Sequence, residues 1–428
     1  MLTFHDLNED VVLRVLSFCD VYTVLTFSTL NRHSHSLTQS TTLWLALAAN
    51  LGAYFSDAKI AALRRLPRNG IIEELKKLVC GPAAISGDLT LTEHSLPDPT
   101  GAVDGWTKCK VLPGGEFIML DNIDALTCVW RQTGEIVWRK ATLCLWAYEM
   151  DQDSAGDIHL AVLTIGDGGA NPYSMTVVHL QRSSGQARVT FSSDVPMRRT
   201  DPIHAVAIHG SYVGALWEDG PLRIGGAMIT NWVTKKWLAV ELDAPRSTPS
   251  MRILPGHFIF LSAAMKANQQ GSYEDILHVY PISRFDGLWK PTHQEWKSHP
   301  LSSFRPLLFE RLIHNGVCYG DQGDMTMRMH PNPLRDGGYR LTLSAWENMY
   351  PPSEHEPHEW FCASFTYHFS IDHTGSLSLT HKSVRPADST FHKMSTSYAG
   401  FLLMKQPGAP RHARLANRHL PQEDDVQS

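Results

Sequence analysis

The chain has 428 residues, with 38 Lys and Arg against 43 Asp and Glu, so its formal net charge is −5. This mild acidity argues against a protein that grips nucleic acid through a broad basic face, because that class needs clustered Lys and Arg. No apolar run reaches about eighteen residues, and no basic segment precedes an apolar one at the start of the chain, so neither a membrane span nor a signal peptide is expected. The length is sufficient for two or three domains.

The cysteines predict a reducing compartment. The chain has 7 of them, an odd number, and no two are spaced as C-x-x-C. A disulfide framework and a zinc knuckle are therefore both unexpected. We expect an intracellular protein, cytoplasmic and/or nuclear.

The first fifty residues predict a small helical module. Apolar residues recur there at intervals of three and four, which predicts one shared helical face: Leu7, Val11, Val12, Val15, Leu16 and Cys19. Asn8 and the two acidic residues after it stand where a helix start favours an N-cap and negative charge. Further helices are predicted after Asp20, near Asn31 and from Leu43. Three helices of ~10 residues bury too little surface to be stable alone, so we expect this module to complete its core against another surface.

The order and spacing of these residues resemble the F-box. The matching positions are Leu7, Asp10, Val11, Val12, Leu13, Val15, Leu16, Ser17, Asp20, Thr23, Val24, Leu25, Leu30, Arg32, Leu37, Leu43 and Trp44. Two positions depart from the family pattern. Asn8 stands where most F-boxes have proline after the first leucine, and Ser34 and His35 stand where a second aromatic residue is usual. The match covers residues 5–47, and an F-box followed by degenerate repeats is similar to the large fungal F-box families.

The resemblance implies the substrate-recognition subunit of an SCF-type cullin–RING ubiquitin ligase. Such a subunit binds the Skp-type adaptor, and through it a cullin, by apolar side chains of the F-box. The positions that the resemblance assigns to adaptor binding are Leu7, Val11, Val12, Val15, Leu16, Val24, Leu25 and Leu30. A repeat domain would hold a protein substrate, through residues that the resemblance does not specify. The chain would itself be non-catalytic, with no cofactor, no metal, no nucleic acid and no membrane among its partners.

Residues 51–85 predict linker helices. Two helical stretches, AKIAALRRL and IIEELKKLV, are separated by Pro67 and Gly70. In the second stretch two glutamates precede two lysines, which is the order that a helix prefers. Gly81 and Pro82 end it. We interpret these helices as the connection that packs the first module onto the next domain.

From residue 86 the apolar period changes from 3.6 to 2, which predicts strands. The segment LPGGEFIML (112–120) resembles LPGHFIFL (254–261), and looser copies lie between them. Strand markers recur at Phe117, His159, Tyr212 and Phe258. A period of roughly 40–50 residues with several strands in each unit is typical of β-propeller blades.

Pairs of strands around a turn are predicted after each marker, at 126–139, 175–191, 227–242 and 276–289. Later strands are predicted at 315–321 and 399–404, with a hairpin at 365–381. We predict six blades, with seven as the next alternative and five after that. Closure is predicted to pair an early strand, 88–92 or 106–111, with the last one, because a propeller must remove its end edges. A pair of β-sandwiches is the structural alternative.

The predicted fold class is thus α+β and multidomain, with a three-helix F-box and linker helices before a mostly β, propeller-like domain. The predicted ranges are 1–50 for the F-box, 51–85 for the linker, 86–405 for the propeller-like domain and 406–428 for a disordered tail. The tail is assigned to disorder because Pro, Arg, His and acidic residues dominate it.

No segment predicts an enzyme active site. The tract SEHEPHEW (353–360) is rich in His and Glu, but Pro357 interrupts it and no helix would present its ligands, so a solvated loop is favoured over a metal site. GDGG (166–169) lacks the lysine and helix of a phosphate loop. Asp151, Asp153 and Asp157 lack the closing glutamate of a calcium loop, and no G-x-S-x-G elbow occurs.

The tryptophans of the predicted outer strands are interpreted as blade packing rather than as a ligand cage: Trp130, Trp138, Trp232, Trp237 and Trp289. Two other functions stay open at this point. One is an interaction scaffold that uses the F-box outside a ligase, and the other is a propeller enzyme with an unrelated helical N-terminus.

Overall fold

The computed structural model describes a helical module followed by a set of β-sheets. The described residues are 7–52, 54–55, 57–80, 108–111, 117–122, 125–130, 133–141, 145–153, 156–165, 173–195, 203–219, 224–242, 250–264, 273–292, 294, 297–314, 324–346, 362–371, 377–387, 401–405 and 413–417. Among these residues, no helix is both long enough and apolar enough to cross a membrane.

Six helices form the N-terminal module: α1 (Glu9–Leu16), α2 (Val21–Ser28), α3 (Arg32–Leu37), α4 (Thr41–Asn50), α5 (Asp57–Leu63) and α6 (Arg68–Cys80). The first three begin at polar residues whose side chains accept a hydrogen bond from the first turn of the helix. Asn8 accepts from the Asp10 N–H at 3.0 Å, Asp20 from the Thr23 N–H at 2.6 Å, and Asn31 from the Ser34 N–H at 2.8 Å. The helix starts predicted from these three polar residues are therefore confirmed.

One apolar core joins all the long helices of the module. Val12, Val24 and Trp44 pack in the same cluster as Leu63 of α5 and Ile71 of α6. The Trp44 indole N–H donates to the Thr38 carbonyl at 2.8 Å, which satisfies its buried polar atom. The linker helices thus pack as part of the same body as the first four.

The β region contains twenty-four strands in the described residues. The strands are β1 (Lys108–Val111), β2 (Phe117–Asn122), β3 (Ala125–Trp130), β4 (Ile136–Ala141), β5 (Leu145–Gln152), β6 (Ile158–Ile165), β7 (Tyr173–Leu180), β8 (Ala187–Val195), β9 (Ile203–His209), β10 (Tyr212–Asp219), β11 (Ile224–Asn231), β12 (Lys236–Leu242), β13 (Ser250–Leu254), β14 (His257–Ala264), β15 (Tyr273–Pro281), β16 (Lys290–Pro291), β17 (Ser298–Pro300), β18 (Leu308–His314), β19 (Asp324–Pro331), β20 (Gly338–Trp346), β21 (Cys362–Ile371), β22 (Leu377–Ala387), β23 (Phe401–Lys405) and β24 (Ala413–Asn417).

Twenty of these strands form a β-propeller of five blades. Each blade is an antiparallel sheet built on four strands: β1–β4, β5–β8, β9–β12, β13–β15 with β18, and β19–β22. The first strands of the second to fifth blades, β5, β9, β13 and β19, contact one another in turn and so surround a common axis. A radial arrangement of this kind is a propeller, and it rules out the alternative of two β-sandwiches.

Apolar side chains fill the spaces between successive blades. Met119 and Leu160 share the cluster between the first and second blades, while Ile229 and Phe260 share the one between the third and fourth. Similar clusters join the second blade to the third and the fourth to the fifth. Strands such as β6 are buried on both faces for this reason, whereas the outer strand β8 is buried at few positions.

The predicted hairpins at 126–139, 175–191, 227–242 and 365–381 are all present. The hairpin predicted at 276–289 is wrong in its second strand. A short 3-10 helix (Ile282–Phe285) follows β15, and the chain then crosses to the third blade, where β16 and β17 pair with β12. The outer partner of β15 is β18 instead.

The prediction of six blades is wrong, because the C-terminal strands do not make a sixth one. The long interval that suggested an extra blade forms one blade, β19–β22, and β23 pairs only with β24 among the described residues. Strand β24 lies in the range predicted to be a disordered tail. Its backbone hydrogen bonds to β23 allow an ordered strand to form there despite the polar composition of the range. The segment 315–321 lies outside the described residues.

The predicted closure is also different. The strand within 106–111 is β1, and it pairs with β2 at the start of the first blade rather than with the last strand. The first blade is therefore built from the consecutive strands β1–β4. The other candidate closing strand, 88–92, lies outside the described residues.

Candidate functional site

The residues assigned to adaptor binding divide between a core and an exposed face. Val12, Leu16 and Val24 are at most 5% exposed and pack inside the helical module. The other five are 40–66% exposed: Leu7, Val11, Val15, Leu25 and Leu30. One side of the apolar stripe therefore faces the core of the module, and the other side faces solvent.

Helical geometry explains the division. Each residue turns the helix by about 100°, so Val11 and Val15 point well away from Val12 and Leu16. Phe18 continues the exposed row one turn later and is 71% exposed. The Arg14 guanidinium lies 4.7 Å from the centre of the Phe18 ring, a cation–π contact that holds it at the surface.

We refer to six of these exposed apolar residues together as the apolar face: Leu7, Val11, Val15, Phe18, Leu25 and Leu30. Thirteen large apolar side chains are exposed among the described residues, and seven of them lie between residues 7 and 30, Tyr22 being the seventh. Scattered exposed apolar residues are normal, but a concentration in one short segment is typical of an interaction surface.

Polar groups border this face at the start of α1. The Asn8 side chain caps the helix, and exposed Glu9 and Asp10 follow it in the first turn. His33 of α3 lies 3.8 Å from the Glu9 carboxylate, with both side chains mostly exposed. Asn8 thus supplies an N-cap at the position where the F-box pattern has proline.

The β19–β20 hairpin of the propeller packs against the helical module. Leu334 of that hairpin is buried in the helical core, and its carbonyl accepts a hydrogen bond from the Tyr22 N–H at 3.2 Å. The Asp336 N–H donates to the Asp20 carboxylate at 3.0 Å. The Arg335 guanidinium lies 5.7 Å from the Tyr22 ring centre. Because Asp20 also caps α2, the start of this helix is tied directly to the fifth blade.

A second contact joins the module to the second blade. Arg182 lies just after β7, and its guanidinium donates to the carbonyl of Gly52, which follows α4. The Arg182 N–H donates to the Asp157 carboxylate at 2.9 Å. The apolar face is therefore carried by a module that two different blades hold in place.

Three segments were considered above as possible chemical sites, and the structure describes the candidate residues of only one of them. SEHEPHEW (353–360) and GDGG (166–169) lie outside the described residues. Asp153 and Asp157 flank the β5–β6 turn, where the Asp153 carboxylate accepts from the Asp157 N–H at 3.0 Å. Asp151 pairs instead with His209, at 3.0 Å, and with the Gly210 N–H. These three carboxylates serve turn and blade contacts and do not converge as in a calcium loop.

A pair of histidines that was not predicted from the sequence lies beside this turn. His159 of β6 and His179 of β7 are direct cross-strand partners, with ring centres 5.0 Å apart. Both strands are predicted from the apolar pattern, and aligning them in antiparallel register would have brought the two rings together. Without the register, each histidine is one polar residue in an apolar strand.

The tryptophans take part in packing, as predicted. The Trp130 ring centre lies 4.2 Å from that of Phe117, and Trp237 is buried between the second and third blades. Trp289 packs with Tyr212 and lies in the chain segment that crosses to the third blade rather than in an outer strand.

Comparisons with known proteins give no family. No protein-family model matches the chain, and no curated protein matches it. Among solved structures, similar chains include Drosophila Plexin A in complex with Semaphorin 1b, at 10% identity and a TM-score of 0.32, covering 70% of this chain and 83% of that one. The complex of the fission yeast SREBP–SCAP binding domains has 8% identity and a TM-score of 0.34, covering 71% and 79%. The β-propeller domain of the Trilobed protease from Pyrococcus furiosus has 7% identity and a TM-score of 0.30, covering 66% and 71%. Scores this low support no argument about function, and the fold assignment rests on the strand order itself.

Proposed function

We propose that this chain is the substrate-recognition subunit of an SCF-type ubiquitin ligase. Its helical module would bind the Skp-type adaptor, and its propeller would bind a protein substrate. The chain would perform no bond chemistry itself. It would raise the effective concentration of a substrate lysine near the ubiquitin carried by the ligase.

The observation that carries the proposal is the apolar face. It lies on the same short segment whose residue order resembles the F-box, and its side chains are exposed although the module has a complete core without them. Interfaces gain most of their free energy from a few side chains that become fully desolvated at the centre of a polar rim. The exposed acidic start of α1 provides part of that rim.

The connection to the propeller supports the same proposal. A substrate receptor must hold its substrate at a fixed distance from the ligase, since a poorly fixed substrate loses effective concentration. The contacts of Leu334, Asp20 and Arg182 join the module to two blades and would limit such motion. A propeller offers broad loop surfaces for a protein partner.

The experiment is a reconstitution with the purified full chain, a Skp-type adaptor and a cullin, followed by size-exclusion chromatography. We expect a stoichiometric complex of this chain with the adaptor, which then recruits the cullin. Absence of an adaptor complex would refute the proposal. A complex with the adaptor that excludes the cullin would replace it with the scaffold function.

A further inference from the structure

A group of potential metal ligands lies at one end of the second blade. His159 near the start of β6 and His179 near the end of β7 are directly opposite in the antiparallel ladder, so their side chains share one face of the sheet. Asp153 belongs to the turn that precedes β6. One ligand atom from each of these three residues lies within 4.8 Å of the other two.

The neighbouring carboxylates orient these groups. The Asp153 Oδ2 lies 3.8 Å from the His159 Nε2, and the Asp157 Oδ2 lies 3.2 Å from the His179 Nε2. Asp157 also accepts the Arg182 N–H at 2.9 Å, so its carboxylate is fixed from a second side. A carboxylate on one ring nitrogen of a metal-binding histidine commonly orients the ring so that the other nitrogen faces the metal, and Asp157 is placed to do this for His179.

His159 is largely buried and has one ring nitrogen without a partner. Its side chain is only 16% exposed, and its Nδ1 is buried without a hydrogen-bond partner. A buried polar atom of this kind is uncommon in a folded protein, and an ion bound nearby is one way in which such a site is completed.

We propose that Asp153, His159 and His179 form a zinc site. Two imidazole nitrogens and one carboxylate suit Zn²⁺, whereas Mg²⁺ and Ca²⁺ prefer oxygen ligands throughout. Zinc bonds of about 2.0–2.2 Å place tetrahedral ligand atoms roughly 3.3 Å apart. The three ligand atoms are now within 4.8 Å of one another, so each separation must shorten by about 1.5 Å at most. Asp153 is 40% exposed on a turn, so we expect its side chain to supply most of that movement. Water or a second carboxylate would complete the coordination.

The position of the site gives it a structural role. It joins the β5–β6 turn to the facing strand β7, and a continuous set of contacts runs from His179 through Asp157 and Arg182 to Gly52 of the helical module. Zinc would therefore stabilise the part of the second blade on which the module rests. The site does not depend on the proposed adaptor binding and can be tested without any partner.

The test uses the untagged full chain after treatment with a chelator. We expect it to take up one Zn²⁺ per chain in competition with a chromophoric chelator, and to show visible d–d bands of tetrahedral Co²⁺ when cobalt is added. Asp153→Asn should weaken zinc binding by at least ~10-fold, and the double variant His159→Gln/His179→Gln should lose the stoichiometric ion. Excess Mg²⁺ should not displace the zinc.

The matched control is His355→Gln/His358→Gln, because these two of the chain's 22 histidines lie in the His/Glu-rich tract SEHEPHEW (353–360), which is separate in sequence from the proposed ligands. This control should keep the stoichiometric ion. The proposal is overturned if the wild-type chain takes up no stoichiometric zinc, if His159→Gln/His179→Gln retains it, or if the control loses it. If the double variant does not fold, Asp153→Asn decides, because unchanged zinc affinity in that variant also overturns the site.

Discussion

Val11→Asp separates adaptor binding from folding of the helical module. Val11 is 47% exposed on the apolar face and lies in the first turn of α1, after the Asn8 cap. Negative charge in a first turn interacts favourably with the helix dipole, and Val and Asp have similar helix propensities. We therefore expect the free energy of unfolding to change by no more than about 0.5 kcal/mol.

Val11→Asp should instead weaken the binding of the Skp-type adaptor. Burying a whole valine side chain contributes about 1.5–3 kcal/mol, so the exposed half of Val11 would contribute ~1 kcal/mol on docking. An unpaired carboxylate that is desolvated in the interface costs several kcal/mol more. A total of about 4 kcal/mol weakens the affinity for the Skp-type adaptor by roughly a thousandfold.

The assay is isothermal titration calorimetry of the full chain with the purified adaptor, beside a thermal melt of each variant. Val233→Asp is the matched control, because Val233 is 60% exposed on the β11–β12 turn of the propeller. The control should bind the adaptor like the wild type. If Val11→Asp also binds with wild-type affinity while its melt is unchanged, the apolar face is not the adaptor site.

Three further predictions concern stability. Leu16→Ala removes a side chain of the helical core and should cost about 2–5 kcal/mol in urea unfolding, whereas an unchanged unfolding midpoint would contradict its burial. Burial, followed by the charge of Asp20, raises the pKa of Asp336 above its ordinary 3.8, so the folded chain holds that proton more tightly than the unfolded chain does. Asp336→Asn should accordingly raise the Tm at neutral pH and lose this advantage below about pH 3.8, and a Tm gain that persists in acid would refute the linkage. Gly226→Ala places a Cβ against the buried Trp217 ring and should cost about 1–3 kcal/mol, with Trp217→Phe in the same chain restoring part of the loss.

The proposed function and the proposed zinc site draw on different kinds of observation. The apolar face follows from a linear pattern whose register on a helix is fixed by the 3.6-residue period. The zinc site follows from strand pairing, because His159 and His179 are twenty residues apart in the chain and meet only in the β6–β7 ladder. His179 of the proposed zinc site also contacts Asp157, which accepts from Arg182 at the contact with the helical module, but the two proposals are independent in chemistry.

Local pattern was sufficient for the elements whose partners are near in the chain. The caps at Asn8, Asp20 and Asn31 follow from residue type, since a short polar side chain satisfies the free N–H groups of a helix start. Hairpins such as 175–191 follow from alternating apolar residues around a turn. The propeller class follows from the repeat of such units.

Tertiary packing decided the rest. The sequence marks Val11 and Val12 alike as apolar, and only the packing of α1 on the other helices shows that Val12 enters the core while Val11 stays exposed. The blade count depends on which strands pair, and β23 pairs with β24 rather than extending the propeller. The crossing of β16 and β17 to the third blade and the meeting of His159 with His179 are likewise contacts between separate segments. Apolar periodicity specifies which face of an element is buried, but not the distant element that covers it, and this is why these features are visible only in the folded chain.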